Sequence, residues 1–251
     1  MRFETLLLPA FAAAVFACGG QRGAAADADG SASDAPAMAE AGGEWRPLFD
    51  GRSLAGWHKY GGESVGEAWK VTPDGSLTLD VSNKGDRGVV GGGDIVTDET
   101  FENYELELEW KIAPCGNSGI IYNVIEEPGL AQPWRTGPEM QVLDNACHPD
   151  AKIHKHKAGD LYDLIAGDST AVKPAGEWNR ARLVNRPGRV EHWLNGEQMA
   201  VYDNTGEGWK RMIAGSKFKD MPRFGEATSG KIALQDHGDQ VWYRNIRVRE
   251  L

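Results

Sequence analysis

The chain has 251 residues and a formal net charge of −10. Such a surplus of carboxylates repels phosphate backbones and anionic lipid surfaces, which argues against nucleic acid as a partner, whereas a neutral sugar would be indifferent to it. Arg22 against Asp27, Asp29, Asp34, Glu40 and Glu44 leaves 19–44 at −4, Arg2 and Glu4 cancel, and −6 remains for the rest.

Residues 1–17 hold Arg2 and then an apolar run from Thr5 to Ala17. The run is too short to span a bilayer and suits the core of a signal peptide. Val15-Phe16-Ala17-Cys18 has the form of a lipobox, so Cys18 is the expected lipidation site; an ordinary secretory signal cut elsewhere, or an uncleaved anchor, competes with it. A diacylglyceryl cysteine with a further acyl chain supplies the several chains that stable attachment needs. Residues 18–44 are rich in Ala, Gly, Ser and Asp, and Met38 is their one large apolar side chain, so they read as a disordered tether. The expected location is the cell envelope, outer membrane or periplasm-facing, with the lipid anchor as the only membrane contact. Gly19, rather than Asp, after the cysteine favours outer-membrane sorting in a Gram-negative cell.

Residues 45–251 are left as one domain, a size that suits a single all-β sandwich. Tyr104 to Ile112 alternates apolar and charged residues over a full strand, which predicts a sheet with one face in water. Cys115 and Cys147 remain once Cys18 carries lipid, and an even remainder in an exported chain predicts one disulfide. A metal pair is the weaker alternative, because the spacing is not that of a zinc ligand set.

In Thr136 to Asn145, Glu139 and Gln141 are two apart and project from one strand face, while Met140 and Val142 point to the core. Asp144 would join the polar pair only if a bulge followed Gln141. An exposed polar strand face competes with a sugar-processing groove here. His148 follows the strand and could move protons near neutral pH. His154 and His156 read as a solvated loop. Trp178 to Val184, Val190 to Leu194 and Glu197 to Tyr202 are further strands, the last pair joined by the hairpin signal Asn195-Gly196. Trp209 to Ala214 is the one fair helix, and Gly230 to Leu234 and Gln240 to Val248 close the domain. Many short strands with little helix predict two antiparallel sheets in a sandwich or jelly roll.

Several of these strings carry a family resemblance. Leu48-Phe49-Asp50-Gly51-Arg52-Ser53-Leu54-Ala55-Gly56-Trp57, Gly116-Asn117-Ser118-Gly119-Ile120 and Gly137 to Asn145 resemble, in order, motifs of the DUF1080 or 3-keto-disaccharide hydrolase family. Gly159 to Asp163, Glu177-Trp178-Asn179, Trp193 to Gly196 and Gly230 to Gly238 resemble the remainder. The resemblance implies a concanavalin-like jelly roll and cleavage of 3-keto-glycosides. It also agrees with export and a lipid anchor.

A ketone at C3 makes the C2 hydrogen of a sugar acidic, and the glycosidic oxygen on C1, β to the carbonyl, can then leave by elimination. Such chemistry needs a base near C2, an acid near the leaving oxygen and a cation or donor at the C3 oxygen. Glu139 is the leading candidate for proton transfer, with His148 and Asp144 beside it; Asp144 could orient His148 or hold a divalent cation with Glu139. Asn117, Gln141, Gln235 and His237 are candidate sugar contacts, Trp134 a sugar platform, and Arg135 the cation at the keto oxygen. Trp110 and Trp242 read as core. No cofactor is required by this reading beyond that possible cation. A lectin-like carbohydrate-binding module on the same scaffold is the main rival, and a structural accessory domain of a surface sugar-uptake system a third reading.

Overall fold

The computed structural model describes residues 42–86 and 88–251. The expected signal sequence, Cys18 and most of the expected tether lie outside them. The described residues form one compact unit. Its strands are β1 (Arg46–Pro47), β2 (Trp57–Lys59), β3 (Trp69–Val71), β4 (Leu77–Leu79), β5 (Lys84–Gly85), β6 (Gly88–Val89), β7 (Ile95–Thr97) and β8 (Tyr104–Ile112). They continue as β9 (Asn117–Val124), β10 (Glu139–Leu143), β11 (Asn179–Arg186), β12 (Arg189–Leu194), β13 (Glu197–Tyr202), β14 (Lys231–Leu234) and β15 (Val241–Glu250). Among the described residues there is one α-helix, α1 (Glu207–Ala214), between β13 and β14.

Thirteen of the strands build two antiparallel sheets, and β5 and β6 pair with each other in a separate two-stranded ribbon. The larger runs β13-β12-β11-β8-β15-β4-β3 with β1 also on β15, and the smaller runs β10-β9-β14-β7-β2. This is the jelly-roll-type sandwich that the alternation predicts. β8 spans the same residues as its sequence pattern, with Tyr104, Leu106, Leu108, Trp110 and Ile112 all buried between the sheets. The smaller sheet answers with Ile120, Tyr122, Met140 and Val142. Asn195 and Gly196 have φ of 53° and 95°, the left-handed pair that a tight hairpin requires.

The face of β8 expected to be wet is covered at its centre. Glu105 and Glu107 are buried because guanidiniums from the flanking strands lie over them: Arg182 and Arg249 on Glu105, Arg180 and Arg247 on Glu107. Burial alone would raise the Glu107 carboxyl, but the Arg247 and Arg180 hydrogen bonds outweigh it and hold it below the usual range. Trp242 belongs to this outer face too. It is half-buried under the Lys111 ammonium, 4.6 Å from the ring centroid, rather than in the core with Trp110.

Cys115 and Cys147 are disulfide-bonded with Cα atoms 4.6 Å apart, as expected. The bridge ties the start of β9 to the loop after β10. Of the two loop histidines His154 is exposed, as expected, but His156 is buried, with Nε2 2.9 Å from Asp163 Oδ1 and Nδ1 3.6 Å from Asp150 Oδ2.

Candidate active site

The outer face of the smaller sheet carries the site. β10 and β9 pair without a register shift, Glu139 opposite Ile121 and Gln141 opposite Gly119. The Gln235 N–H, just past β14, donates to the Gly119 carbonyl at 3.0 Å. Gly119 is thus the bare centre of a three-strand floor, with Gln141 on one side and Gln235 on the other. A Cβ on Gly119 would stand 2.1 Å from Glu139 Oε1, so the glutamate side chain lies across the space that this glycine leaves. Farther along the same face Val96, Ile121 and Ala233 form a small apolar cluster with Tyr60, and Trp134 packs on it.

Above the floor is a cavity of about 370 Å³. Of the residues singled out in the sequence, it gathers Glu139, Gln141, Asn117, Trp134, Gln235 and His237. It also gathers residues that were not singled out: Asp94 before β7, Gln132, Tyr162, Lys217 and Phe218 after α1, and Asp236. Tyr162 lies in a family-like string, but nothing local marks Asp94 or Lys217, which arrive from distant loops.

Glu139 is buried, and its carboxyl makes no hydrogen bond among the described residues. Burial pushes it up to about 8; the Lys217 ammonium opposes that shift, and the Asp94 and Asp150 carboxylates add to it. Lys217 is held by its own N–H, which donates to Asp163 Oδ2 at 2.8 Å, and by the Tyr162 ring, 3.7 Å from Nζ to the centroid. Burial lowers its pKa, against the pull of Glu139, Asp163 and Asp150. The Tyr162 hydroxyl in turn donates to Asp150 Oδ2 at 3.1 Å. Asp94, also lifted by burial, stands at about 7.

The amides are placed for hydroxyl groups. Gln141 Nε2 donates to Asn117 Oδ1 at 3.2 Å, and Gln141 Oε1 is buried without a partner among the described residues. Gln235 Oε1 is likewise buried without one. Two orphaned acceptors on one cavity floor suit a ligand that brings hydroxyl donors.

Three sequence candidates stand elsewhere. No bulge follows Gln141, so Asp144 stays off the cavity face and cannot share a cation with Glu139. Its carboxylate instead accepts from the Cys115 N–H at 2.8 Å and the Ala146 N–H at 3.1 Å, holding the disulfide loop. His148 does not line the cavity. Its ring is oriented by Asp150, whose N–H donates to Nδ1 at 3.2 Å, and not by Asp144. It meets His237 edge-on with centroids 6.2 Å apart. Arg135 is exposed and stacks over Trp134, 5.4 Å from the ring centroid. The cation of the cavity is Lys217.

His148, His237 and Asp239 bring donor atoms within 4.8 Å of one another and are the residues that could hold a divalent cation. Two of them are already engaged. The Asp150 N–H on Nδ1 leaves the neutral His148 ring with its proton on Nε2, and Asp239 Oδ2 accepts from the Asn117 N–H at 3.2 Å. The other cluster, Cys115, Asp144 and Cys147, is spent in the disulfide.

Comparison with known proteins agrees with this architecture. A model of the 3-keto-alpha-glucoside-1,2-lyase-like domain matches residues 44–249. A 3-keto-disaccharide hydrolase of Bacteroides thetaiotaomicron is 37% identical over 225 residues, 81% of this chain and 77% of that protein. A Parabacteroides distasonis structure named as a candidate glycosyl hydrolase superposes with a TM-score of 0.73 at 33% identity, covering 83% of this chain and 94% of that one. A Bacillus subtilis protein of galectin-like fold, with a TM-score of 0.53 at 16% identity over 83% of this chain and 96% of that one, shares the fold alone. The chain belongs to the family of 3-keto-alpha-glucoside-1,2-lyase-like domains and is an enzyme of glycoside hydrolase-like type.

Proposed function

We propose that this chain cleaves 3-keto-glycosides by removing the proton next to the keto group and expelling the glycosidic oxygen. The observation that carries the reading is Glu139: a buried carboxyl with no hydrogen bond among the described residues, raised to about 8, facing an ammonium across a cavity floored by amides. A base of raised pKa is matched to an acidic C–H, and it needs no nucleophilic role. The Glu139 carboxylate takes the C2 proton, and the Lys217 ammonium faces the oxygen on which enolate charge develops. Gln141 and Gln235 accept from sugar hydroxyls, and Trp134 offers an apolar face to the pyranose ring. The C1–O bond then breaks. Water adds back across the new double bond, or the unsaturated sugar departs.

The relative named as a 3-keto-disaccharide hydrolase supports this substrate class. The reading extends to place as well. The lipobox-like run before Cys18 supports a lipidated, exported protein held at the cell envelope. Incubation with 3-keto-trehalose or 3-keto-lactose, with and without chelator, followed by product identification, tests the chemistry. The expected result is release of the second sugar. Binding without conversion would replace the enzyme with a lectin-like module.

A further inference from the structure

The Glu139 cavity does not end at Asp94. Asp94, Gln132, Asp236 and His237 are shared with an adjoining compartment of about 410 Å³, bounded beyond them by Lys59 and Tyr60. Each compartment alone reaches the size of an ordinary small-molecule cleft, roughly 300–1,000 Å³. The wall of the second one is bare backbone at Gly92 and Gly93: a Cβ on the first would stand 2.2 Å from Asp236 Oδ2, and on the second 2.5 Å from Lys59 Cε. Asp236 clamps this wall, its Oδ2 accepting from the Gly93 N–H at 2.6 Å and its Oδ1 from the Gly238 N–H at 2.8 Å.

Asp94 sits at the junction, and its orientation is fixed from one side only. Oδ1 accepts from the Asp236 N–H at 2.8 Å, while Oδ2 makes no hydrogen bond among the described residues. A two-sugar substrate bound across both compartments would place its glycosidic link where they meet. Resting on the keto-glycoside reading above, we propose that Asp94 is the proton donor to the leaving glycosidic oxygen, and that the compartment beyond it receives the leaving sugar.

The electrons balance without any further reagent. The Glu139 carboxylate takes the C2 proton, and the C–H pair becomes the enolate. As the C3 carbonyl re-forms, that pair makes the C1–C2 double bond. The C1–O bond breaks with its electrons on the glycosidic oxygen, which takes the Asp94 proton. In the reverse sense the Asp94 carboxylate removes a proton from water as it adds at C1, and the Glu139 carboxyl returns its proton to C2. Burial holds Asp94 near 7, with the Asp236 carboxylate adding to the shift and the Asp236 N–H and Lys59 opposing it, so it can carry a proton at neutral pH.

The test compares two 3-keto-glycosides that share a glycone: 3-keto-trehalose, whose leaving sugar needs a proton, and 4-nitrophenyl 3-keto-α-glucoside, whose leaving anion does not. Asp94→Asn should lose at least about 100-fold in kcat/KM on the first and less than about tenfold on the second, within the range of general acid catalysis. Glu139→Gln should lose heavily on both. Equal losses for Asp94→Asn on the two substrates would overturn the assignment. Lys59→Met should raise KM for 3-keto-trehalose more than for methyl 3-keto-α-glucoside, and parallel changes would overturn the placement of the leaving sugar. A wild-type enzyme that converts none of these compounds would refute the keto-glycoside reading itself, a failure distinct from either of the others.

Discussion

The Glu139 carboxyl lies across Gly119, so close that the smallest side chain on that glycine would overlap Oε1 at 2.1 Å. Glu139 and the floor beneath it are therefore one unit: the missing side chain on β9 sets where the carboxyl on β10 can rest. Gly119→Ala must displace the Glu139 side chain, whose Cγ is itself only 3.0 Å from the added carbon. Displacement of a reacting group by about 1 Å can cost on the order of 100-fold in rate. The variant should fold with a far-ultraviolet spectrum like the wild type and lose about that much turnover. Unchanged kcat would show that Glu139 is not held by this contact.

Glu139→Gln keeps the shape and removes the titrating group. Turnover should fall about 100- to 10,000-fold while keto-sugar still binds. The same substitution should stabilise the fold at alkaline pH. The folded-state pKa of about 8 lies above the ordinary 4.5, so between those values the native state holds the proton more tightly than the unfolded chain. Stability from this group is complete below about 4.5 and is lost as pH rises through about 8. At pH 9 the glutamine variant should be more stable by a few kcal/mol, at most roughly 5. Urea melts at pH 5 and pH 9 check the sign, and equal differences at both values would refute it.

The longer strands and half of the site were legible because their signal is local, whereas β1 to β7, of two or three residues each, are too short to show a period. The period of two in Tyr104 to Ile112 gives β8 end to end, and Glu139-Met140-Gln141 gives a two-faced strand with the polar pair outside. Asp144 was misplaced for an equally local reason: strand alternation puts it off the face, and the bulge that would have rescued it is absent. Asp94 and Lys217 were invisible because they enter the cavity from loops whose own sequence carries no pattern. Lys217 is recognisable only once Asp163 and Tyr162 are seen beside it. Arg135, a plausible cation by proximity to Trp134 in the chain, stacks on that ring in the open instead.

Turnover should follow a bell with its optimum between about pH 7 and 8. The rise reports loss of the Glu139 proton toward about 8, and the fall reports loss of the Asp94 proton above about 7. The Asp94→Asn variant on the nitrophenyl substrate should keep the rise and lose the fall. A profile flat from pH 5 to 9 would exclude both groups.

Removing the Cys115–Cys147 bridge should cost roughly 3–4 kcal/mol, the chain-entropy value for a loop of about thirty residues. Denaturant unfolding of the Cys115→Ser/Cys147→Ser protein measures it. Because the bridge sits beside Asn117 and His148, KM should rise with the loss of stability; wild-type stability in the double variant would contradict the structural role.

Intact mass of the envelope-extracted protein should show an acylated Cys18 as the first residue, and Cys18→Ala should release the protein from the membrane. A Cys18→Ala protein that stays fully membrane-bound with residues 1–17 uncut would overturn the anchor.

The central claim is that the ketone makes cleavage possible. Wild-type enzyme incubated side by side with trehalose and 3-keto-trehalose, with products followed by NMR, tests it most directly. The account predicts that 3-keto-trehalose yields glucose together with 3-keto-glucose or its unsaturated precursor, while trehalose is untouched. Equal cleavage of trehalose would instead make Glu139 and Asp94 the carboxyl pair of an ordinary glycosidase, and would contradict the account.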